Sequence, residues 1–386
     1  MSAEQDVLAA SREIGKTVMA AADETEKNRN LSPEIVSQMK DAGIFSLCIP
    51  QRFGGIEAHP ATTLEVIQNL AYGDASAAWV AMVCGATAIM AGYLEPGIAE
   101  EIYGQKGVIT CGVSAPTGKA CRVEGGIEVS GRWQWGSGTT HADWILGGSL
   151  LVDEQDKPML DENGQPCHLL PFFSKDQVTL LDNWDVIGLA GSGSNDFVVE
   201  DAFVPEGRWM HFGVDQPRMS GLYQFPLLGI LGLGVGSVSL GLARHAIDEL
   251  IEIAGGKIPA SSRRTLAHRA YVQSAVAEAE VAYRSAKLFV KDSVERAYDK
   301  AIKGEKLPMA DRAELRLAIT NASRQSTHAV NLMYNAAGGT PVYNESPLSR
   351  IYRDAHVATQ HIMVGPPTYE LVGRVLLDMD VDDGAV

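Results

Sequence analysis

The chain has 386 residues, 46% of them hydrophobic and 21% charged, which is typical of a globular protein of two or three domains. Its 32 basic and 48 acidic residues give a formal net charge of −16, which argues against nucleic acid and anionic membranes as partners. The 5 cysteines contain no CxxC pair and no apolar signal segment opens the chain, so we expect a reduced, cytoplasmic protein.

Residues 1–107 are predicted to form a helical domain. In the segment LSPEIVSQMKDAG, Ser32 is suited to cap a helix, Pro33 to fill its first turn and Gly43 to end it. The alanine-rich segment 61–104 continues the helical pattern.

Residues 108–206 are predicted to form a β domain, because short apolar runs with period-two alternation are separated by glycine-rich turns. The segment WQWGSGTTHADW, residues 133–144, is then the end of a strand and its turn. A spacing of two places Trp133 and Trp135 on one strand face, either in a shared core cluster or against a flat ligand. Ser137, between two glycines, is either an ordinary turn residue or a hydroxyl offered to a ligand.

Residues 207–386 return to a helical pattern. The uncharged stretch 219–243 is long enough to span a membrane, but its glycines favour a buried helix with closely packed neighbours. An amphipathic pattern follows over 268–301, a further helix ends near residue 337, and the turn GGTPVYNESP precedes a last long helix. No HExxH or comparable cluster occurs, so the sequence predicts no metal site.

Four segments, in this order along the chain, resemble the acyl-CoA dehydrogenase superfamily. They are ITCGVSAP with the following WQWGSG turn, GLAGSGSNDFVVEDAFVPE, SSRRTLAHRAYVQSAVAEAE, and AAGGTPVYNESPLSRIYRDAHVATQH. The resemblance covers nearly the whole chain and implies an α+β fold with an N-terminal helical domain, a central β-barrel and a C-terminal four-helix bundle. It also implies a homotetramer.

The superfamily contains two kinds of chemistry. Most of its dehydrogenases remove the α-proton of an acyl-CoA with the glutamate of a Tyr-Glu-Gly that begins six residues after Arg-Asp-Ala. Here His361 and Ile362 hold the tyrosine and glutamate positions, and isoleucine cannot accept a proton. The chain is more similar to the oxygenase components of two-component flavin-dependent monooxygenases, through the segments 114–118 and 133–138 and through His361. An FAD-dependent acyl-CoA dehydrogenase and a non-enzymatic scaffold are the alternatives.

The resemblance implies that the enzyme receives reduced flavin, FMNH2 or FADH2, from a separate NAD(P)H:flavin reductase. Oxygen then adds at the flavin C4a carbon as a hydroperoxide, which oxidises an apolar, aromatic or polycyclic substrate. In this scheme Ser137 makes a hydrogen bond near flavin N5 and Trp135 stacks beside the ring. His361 handles the peroxide proton, because an imidazole titrates near the working pH. A helix-terminal histidine bonded to carbonyls is the structural alternative for His361.

The same resemblance assigns contacts to residues outside this turn. Ser114 is expected to face the flavin or, together with Tyr93, the substrate. Arg263, Gly338 and Gly339 are expected to reach the flavin of a neighbouring subunit. The structural alternatives are a solvated helix start for Arg263 and a helix C-cap for Gly338.

Overall fold

The computed structural model describes residues 2–161, 164–260, 262–382 and 384 of the chain. Helices come first, then a β-sheet, then a second set of helices, which is the order predicted from the sequence. The N-terminal helices are α1 (Ala3–Ala20), α2 (Ala22–Asn28), α3 (Pro33–Asp41), α4 (Pro60–Gly73), α5 (Ala75–Thr87) and α6 (Pro96–Tyr103).

The ends of α3 follow the sequence signals. The Ser32 Oγ accepts a hydrogen bond from the Ile35 N–H at 3.3 Å, and Pro33 occupies the first turn. Gly43 lies just past the helix with a φ of +79°, a left-handed conformation that glycine adopts without strain. The predicted start and end of this helix are therefore confirmed.

α5 is a core helix with a charged residue at its start. Nearly all of its residues are buried, and the Asp74 carboxylate accepts a hydrogen bond from the Ala77 N–H at 2.7 Å. Burial raises the pKa of Asp74 to about 6, because an ionised carboxylate is poorly solvated there.

The β-sheet has seven strands among the described residues: β1 (Thr110–Val123), β2 (Gly126–Trp133), β3 (Trp144–Val152), β4 (His168–Ser174), β5 (Thr179–Leu180), β6 (Phe197–Pro205) and β7 (Trp209–His211). Their hydrogen-bonded order is β5-β6-β2-β1-β3-β4-β7, with β1 and β3 parallel and the other neighbours antiparallel. β7 lies beyond the predicted domain end at residue 206, because it pairs with β4.

The two tryptophans of the 133–144 segment have different environments. Trp133 is fully buried, stacks on Phe197 with 5.0 Å between ring centroids and donates its Nε1–H to the Gly148 carbonyl at 2.7 Å. Trp135 is 67% exposed and has a φ of +64°. The prediction that they share one strand face is wrong, because β2 ends at Trp133 and the alternation of a strand does not extend past it.

The C-terminal helices are α7 (Leu227–Gly256), α8 (Ala270–Ala301), α9 (Met309–Ala336), α10 (Pro347–Ala358) and α11 (Pro367–Leu376). α7 packs against α4, α5, α8, α9 and α10, and so joins the two sets of helices. Two stretches, 75–92 and α7, have the length and composition of a membrane-crossing helix, and most of each is buried within the fold. Residues 227–243 of the uncharged stretch form the first part of this buried helix, as predicted, whereas residues 219–226 precede it as a loop with one short turn.

Glycines let α7 approach its neighbours closely. A Cβ at Gly241 would lie 2.5 Å from the Cβ of Ala71 and 2.6 Å from the carbonyl oxygen of Gln68, both on α4. A Cβ at Gly234 would lie 2.7 Å from the Cβ of Met82 on α5. These approaches leave no room for a side chain, so the packing of α4, α5 and α7 depends on glycine.

Candidate functional site

The turn that follows β2 is pressed against α5. Gly138 has a φ of +80°, and a Cβ added there would lie 2.7 Å from the Cys84 Sγ. A Cβ at Gly136 would lie 2.9 Å from the Asn195 carbonyl oxygen. Because neither flanking position has space for a side chain, the turn holds Ser137 in one place, with only 5% of the residue exposed.

The Ser137 hydroxyl belongs to a row of buried polar groups. Trp79 of α5 donates its Nε1–H to the Ser137 Oγ at 3.1 Å, and the Ser194 Oγ lies 2.6 Å from the same oxygen. The row continues from Ser194 to the Ser192 Oγ at 2.8 Å, and Ser192 donates to the Leu189 carbonyl oxygen at 2.6 Å. Ser137 is therefore one member of a network that joins α5 to the loop between β5 and β6.

His361 lies beside the same tryptophan. It follows α10 and accepts a hydrogen bond at Nδ1 from the Met363 N–H at 3.3 Å, which fixes the short turn 362–364. Its ring meets the Trp79 indole edge-on, with 5.7 Å between centroids and 74° between planes. Trp79 thus contacts both predicted catalytic residues, and we call Ser137, Trp79 and His361 the Ser137 cluster.

His361 is neutral at physiological pH. Burial lowers the pKa of its imidazole to about 4, because a charged ring is poorly solvated there. Since Nδ1 accepts a hydrogen bond, the proton of the neutral ring lies on Nε2. The expectation that His361 titrates near the working pH is therefore wrong, and the ring offers a fixed N–H donor instead.

The loop that supplies the serines is fastened to α10. The Leu189 N–H donates to the Asp354 Oδ1 at 2.6 Å, and the Arg353 Nη1 donates to the Ile187 carbonyl oxygen at 2.8 Å. Burial raises the pKa of Asp354 to about 7, although the Leu189 hydrogen bond favours its ionised form. Arg353 and Asp354 thus have a structural role, because they hold this loop against α10.

A second group of predicted flavin contacts lies at the other end of the helical bundle. Lys257, at the end of α7, donates from Nζ to the Ala337 carbonyl at 2.8 Å and to the Thr340 Oγ1 at 2.7 Å. This lysine holds the turn that contains Gly338, whose φ is +67°, and Gly339. The exposed Arg263 follows in the loop after Lys257. We call Arg263, Gly338 and Gly339 the Gly338 group.

The length of α7 separates this group from the Ser137 cluster. A Cβ at Gly232, near the start of α7, would lie 3.5 Å from the Met363 Cε, two residues from His361. Lys257 lies 25 residues further along the same helix. At a helical rise of 1.5 Å per residue, the stretch of α7 from Gly232 to Lys257 is about 38 Å long. The structure therefore does not bring the Gly338 group together with the Ser137 cluster within one chain.

The remaining predicted residues have mixed surroundings. The exposed indole of Trp135 adjoins Ser137 and is free to meet a flat ligand. Ser114 is exposed on β1, where the register shifts between Val113 and Gly118. Tyr93 is buried after α5, and burial raises the pKa of its phenol to about 12. Among the described residues, no hydrogen bond joins Ser114 or Tyr93 to the Ser137 cluster.

A narrow apolar gap lies between α4, α5 and α7. Its lining is almost entirely hydrophobic or glycine and includes Ile67, Ala81, Met82, Ala86, Ile230 and Gly234. Met82 and Ala86 follow Trp79 by three and seven residues, so they share its side of α5. The gap has a volume of only about 10 Å³, no more than a single water molecule needs, so it is a seam in the packing of the three helices.

Sequence reasoning missed Trp79, Ser192 and Ser194. A tryptophan inside the apolar run ASAAWVAM has the pattern of a core residue, and its partner Ser137 is 58 residues away. The two serines belong to GSGSN, whose alternation with glycine was the available signal for hydroxyls held in a tight turn.

Comparison with known proteins gives matches along the whole chain. The models for the acyl-CoA dehydrogenase N-terminal and C-terminal domains match residues 2–100 and 233–366. An indole-3-acetate monooxygenase from Pseudomonas putida is 34% identical over 91% of this chain and 88% of its own length. The oxygenase component of an FADH2-dependent resorcinol hydroxylase from Rhizobium sp. is 26% identical over 92% of this chain and 89% of its own. The crystal structure of the HsaA monooxygenase from M. tuberculosis superposes with a TM-score of 0.89, at 27% identity and 100% coverage of both chains.

Proposed function

Because this chain belongs to the acyl-CoA dehydrogenase family and is the oxygenase component of a two-component flavin-dependent monooxygenase, we propose that it hydroxylates a small, apolar aromatic compound at the Ser137 cluster. The observation that carries the proposal is the contact of one tryptophan, Trp79, with both Ser137 and His361. The dehydrogenase alternative loses support, because Ile362, at the position of the usual base, is an exposed aliphatic side chain.

The residues of the cluster fit a reduced flavin. Trp135 offers an exposed flat ring beside the turn, and the Ser137 oxygen has a lone pair that Trp79 does not use. The neutral His361 offers a donor, and no ionised side chain in the cluster opposes a polar ring. When bound, the flavin supplies the two electrons that activate O2.

Each residue of the cluster has one proposed task. Ser137 orients the flavin by a hydrogen bond at N5, and Trp135 covers the ring. His361 keeps its Nε2 proton throughout the physiological pH range and donates a hydrogen bond to oxygen bound near the ring. The buried indole of Trp79 holds both residues and excludes water from the space between them.

The proposed substrate class rests on the relatives whose activities are named. The P. putida relative is an indole-3-acetate monooxygenase and the Rhizobium relative a resorcinol hydroxylase, so both are named for aromatic compounds. We propose a one- or two-ring aromatic compound as the substrate.

The proposal includes a homotetramer, for which the separation along α7 is the support. The Ser137 cluster lies toward the start of α7 and the Gly338 group lies at its end. We propose that one flavin contacts the Ser137 cluster of one subunit and the Gly338 group of another. A site shared between two copies of the chain requires at least a dimer, and a tetramer is a pair of such dimers.

The reaction also requires a partner that reduces the flavin. An oxygenase component uses flavin reduced elsewhere, so a separate reductase supplies it, and we propose that this is an NAD(P)H:flavin reductase. We propose the cytoplasm as the location, in keeping with 5 free cysteines and a net charge of −16.

The proposal is tested by single-turnover mixing. The protein is loaded with FMN or FAD reduced anaerobically and is mixed with oxygenated buffer, with or without indole-3-acetate or resorcinol. We expect hydroxylated product in proportion to flavin when a substrate fits, and hydrogen peroxide in its absence. Tight binding of oxidised FAD, bleached by an acyl-CoA without oxygen, would instead identify a dehydrogenase.

A further inference from the structure

We infer that the buried serines Ser192 and Ser194 fix Ser137 as a hydrogen-bond acceptor and thereby make the site select reduced over oxidised flavin. Ser192 and Ser194 are positioning residues, because they act through Ser137. The inference rests on the proposed flavin site, and the experiment below separates its failure from that of the site.

The direction of the hydroxyl row follows from counting protons. Three oxygen–oxygen contacts link Leu189, Ser192, Ser194 and Ser137, at 2.6, 2.8 and 2.6 Å. Each contact needs one hydrogen between its oxygens, and the three hydroxyls supply three. The Leu189 carbonyl has none to give, so Ser192 must donate to it. Ser194 then donates to Ser192, and Ser137 donates to Ser194.

The hydrogen bond between Trp79 and Ser137 is consistent with this direction. The Trp79 Nε1–H is a donor only, so the Ser137 oxygen accepts from it. With its proton given to Ser194 and one lone pair given to Trp79, Ser137 keeps a single lone pair. Toward a ligand, therefore, Ser137 accepts a hydrogen bond and does not donate one.

The surroundings of the three serines keep their hydrogen bonds from reversing direction. The three serines are each at most 5% exposed, which leaves little access for water that could supply another proton. The Leu189 carbonyl at the end of the row is fixed because its own N–H donates to the Asp354 carboxylate. Reversal would leave two hydroxyl oxygens facing each other without a hydrogen between them.

This polarity distinguishes the two redox states of a flavin. Reduced flavin carries a hydrogen on N5 and is a donor there, whereas oxidised flavin has a bare N5 that can only accept. If the Ser137 oxygen can only accept a hydrogen bond, it pairs with the N5–H of the reduced ring. With the oxidised ring, its lone pair faces the lone pair of N5, and no hydrogen bond forms. The row thus favours the form that a reductase delivers and disfavours the spent form.

The experiment compares dissociation constants of the same flavin in its two redox states, measured anaerobically for the reduced form. The wild type is expected to bind reduced flavin more tightly. In Ser194→Ala the Ser137 hydroxyl is released and can turn to donate to oxidised N5, so the preference should fall about tenfold, the value of one hydrogen bond. The absorption spectrum of bound oxidised flavin should shift with it.

Two further variants distinguish an effect of the hydrogen-bond direction from an effect of disturbed packing. Trp79→Phe removes the donor at the other end but leaves Ser137 bonded to Ser194, so the redox preference should stay within about twofold of the wild type. Ser149→Ala is the matched control, because Ser149 is a fully buried serine of β3 whose hydroxyl donates to the Gly147 carbonyl in its own strand. It should leave the preference unchanged.

The outcomes have distinct meanings. An unchanged preference in Ser194→Ala, in a protein whose wild type prefers reduced flavin, overturns the inference and leaves the proposed function in place. An equal fall in Trp79→Phe or Ser149→Ala also overturns it, because the effect would then not depend on the direction of the row. A wild type that binds flavin in neither redox state defeats the proposed function itself.

Discussion

His361 shows how burial changes the task that a histidine can perform. A free imidazole exchanges protons near pH 6.5, but burial lowers the pKa of this one to about 4. The ring is thus a constant donor at Nε2, held in place by the Met363 N–H and the Trp79 indole. Its proposed task is to hold a proton near the flavin and not to exchange it.

The same pKa predicts a contribution to acid sensitivity. The unfolded chain binds the His361 proton near pH 6.5 and the folded chain only near pH 4, so stability is lost as the pH falls through this window. His361→Asn keeps an acceptor for the Met363 N–H and removes the titration. The free energy of unfolding is measured by urea titration at pH 7 and at pH 5 for both proteins. Its decrease from pH 7 to pH 5 should be about 2 kcal/mol smaller in the variant than in the wild type. Parallel losses in the two proteins would contradict the buried neutral ring.

At the residue scale the family resemblance assigned Ser137 and His361 to the flavin, and the structure adds that one tryptophan contacts both of them. Trp79 was not predicted, because its Nε1–H finds a partner 58 residues away, and no local pattern contains that pairing. The placing of Trp135 failed because strand alternation ends where the ladder ends, which the sequence marks only to within a few residues.

At the element scale, α7 owes its central place to glycine. Helix signals such as the Ser32 cap and the uncharged run were readable in advance because they depend on neighbouring residues. The close packing of α7 between α4 and α5 could not be predicted from the sequence, because it depends on which glycine of α7 faces which backbone segment. Gly241 shows this, with the Gln68 carbonyl 2.6 Å from the place of its Cβ.

The packing predicts opposite effects for two substitutions of the same kind. Gly241→Ala should lower the free energy of unfolding by roughly 1–3 kcal/mol, because its methyl group meets the α4 backbone and Ala71. Gly373→Ala in α11 has nothing within 4 Å of the added methyl and should raise stability by about 0.5–1 kcal/mol, since alanine favours helix. Denaturant titrations of both variants measure this. Equal signs would contradict the close approach of α7 to α4.

At the scale of the whole molecule, the bundle carries the two proposed flavin contacts at its opposite ends. The sequence predicted both groups and assigned one of them to a neighbouring subunit, but it gave no distance between them. α7 separates them, because Gly232 lies by Met363 and Lys257 lies by the Gly338 turn. In the proposed homotetramer, each site takes the two groups from two copies of the chain.

This arrangement predicts complementation between two inactive variants. Ser137→Ala removes the N5 contact from one half of the site. Gly339→Trp places a ring on the other half at an exposed position, where φ is −75° and nothing lies within 4 Å of the Cβ position. Each variant alone should yield mainly hydrogen peroxide. Co-expression should restore product formation at roughly a quarter of the sites, where an intact turn meets an intact Gly338 group from another subunit.

The matched control pairs two variants from the same half of the site. Ser137→Ala co-expressed with His361→Asn should show no rescue, because both residues come from one subunit and every site then carries one defect. Product per reduced flavin consumed is the measurement in both cases. Absence of rescue in the first pair would mean that the Gly338 group does not complete the site of a neighbouring chain. The flavin would then be held within a single subunit, by the Ser137 cluster and without the Gly338 group. Rescue in the control would mean that Ser137 and His361 do not act from the same subunit.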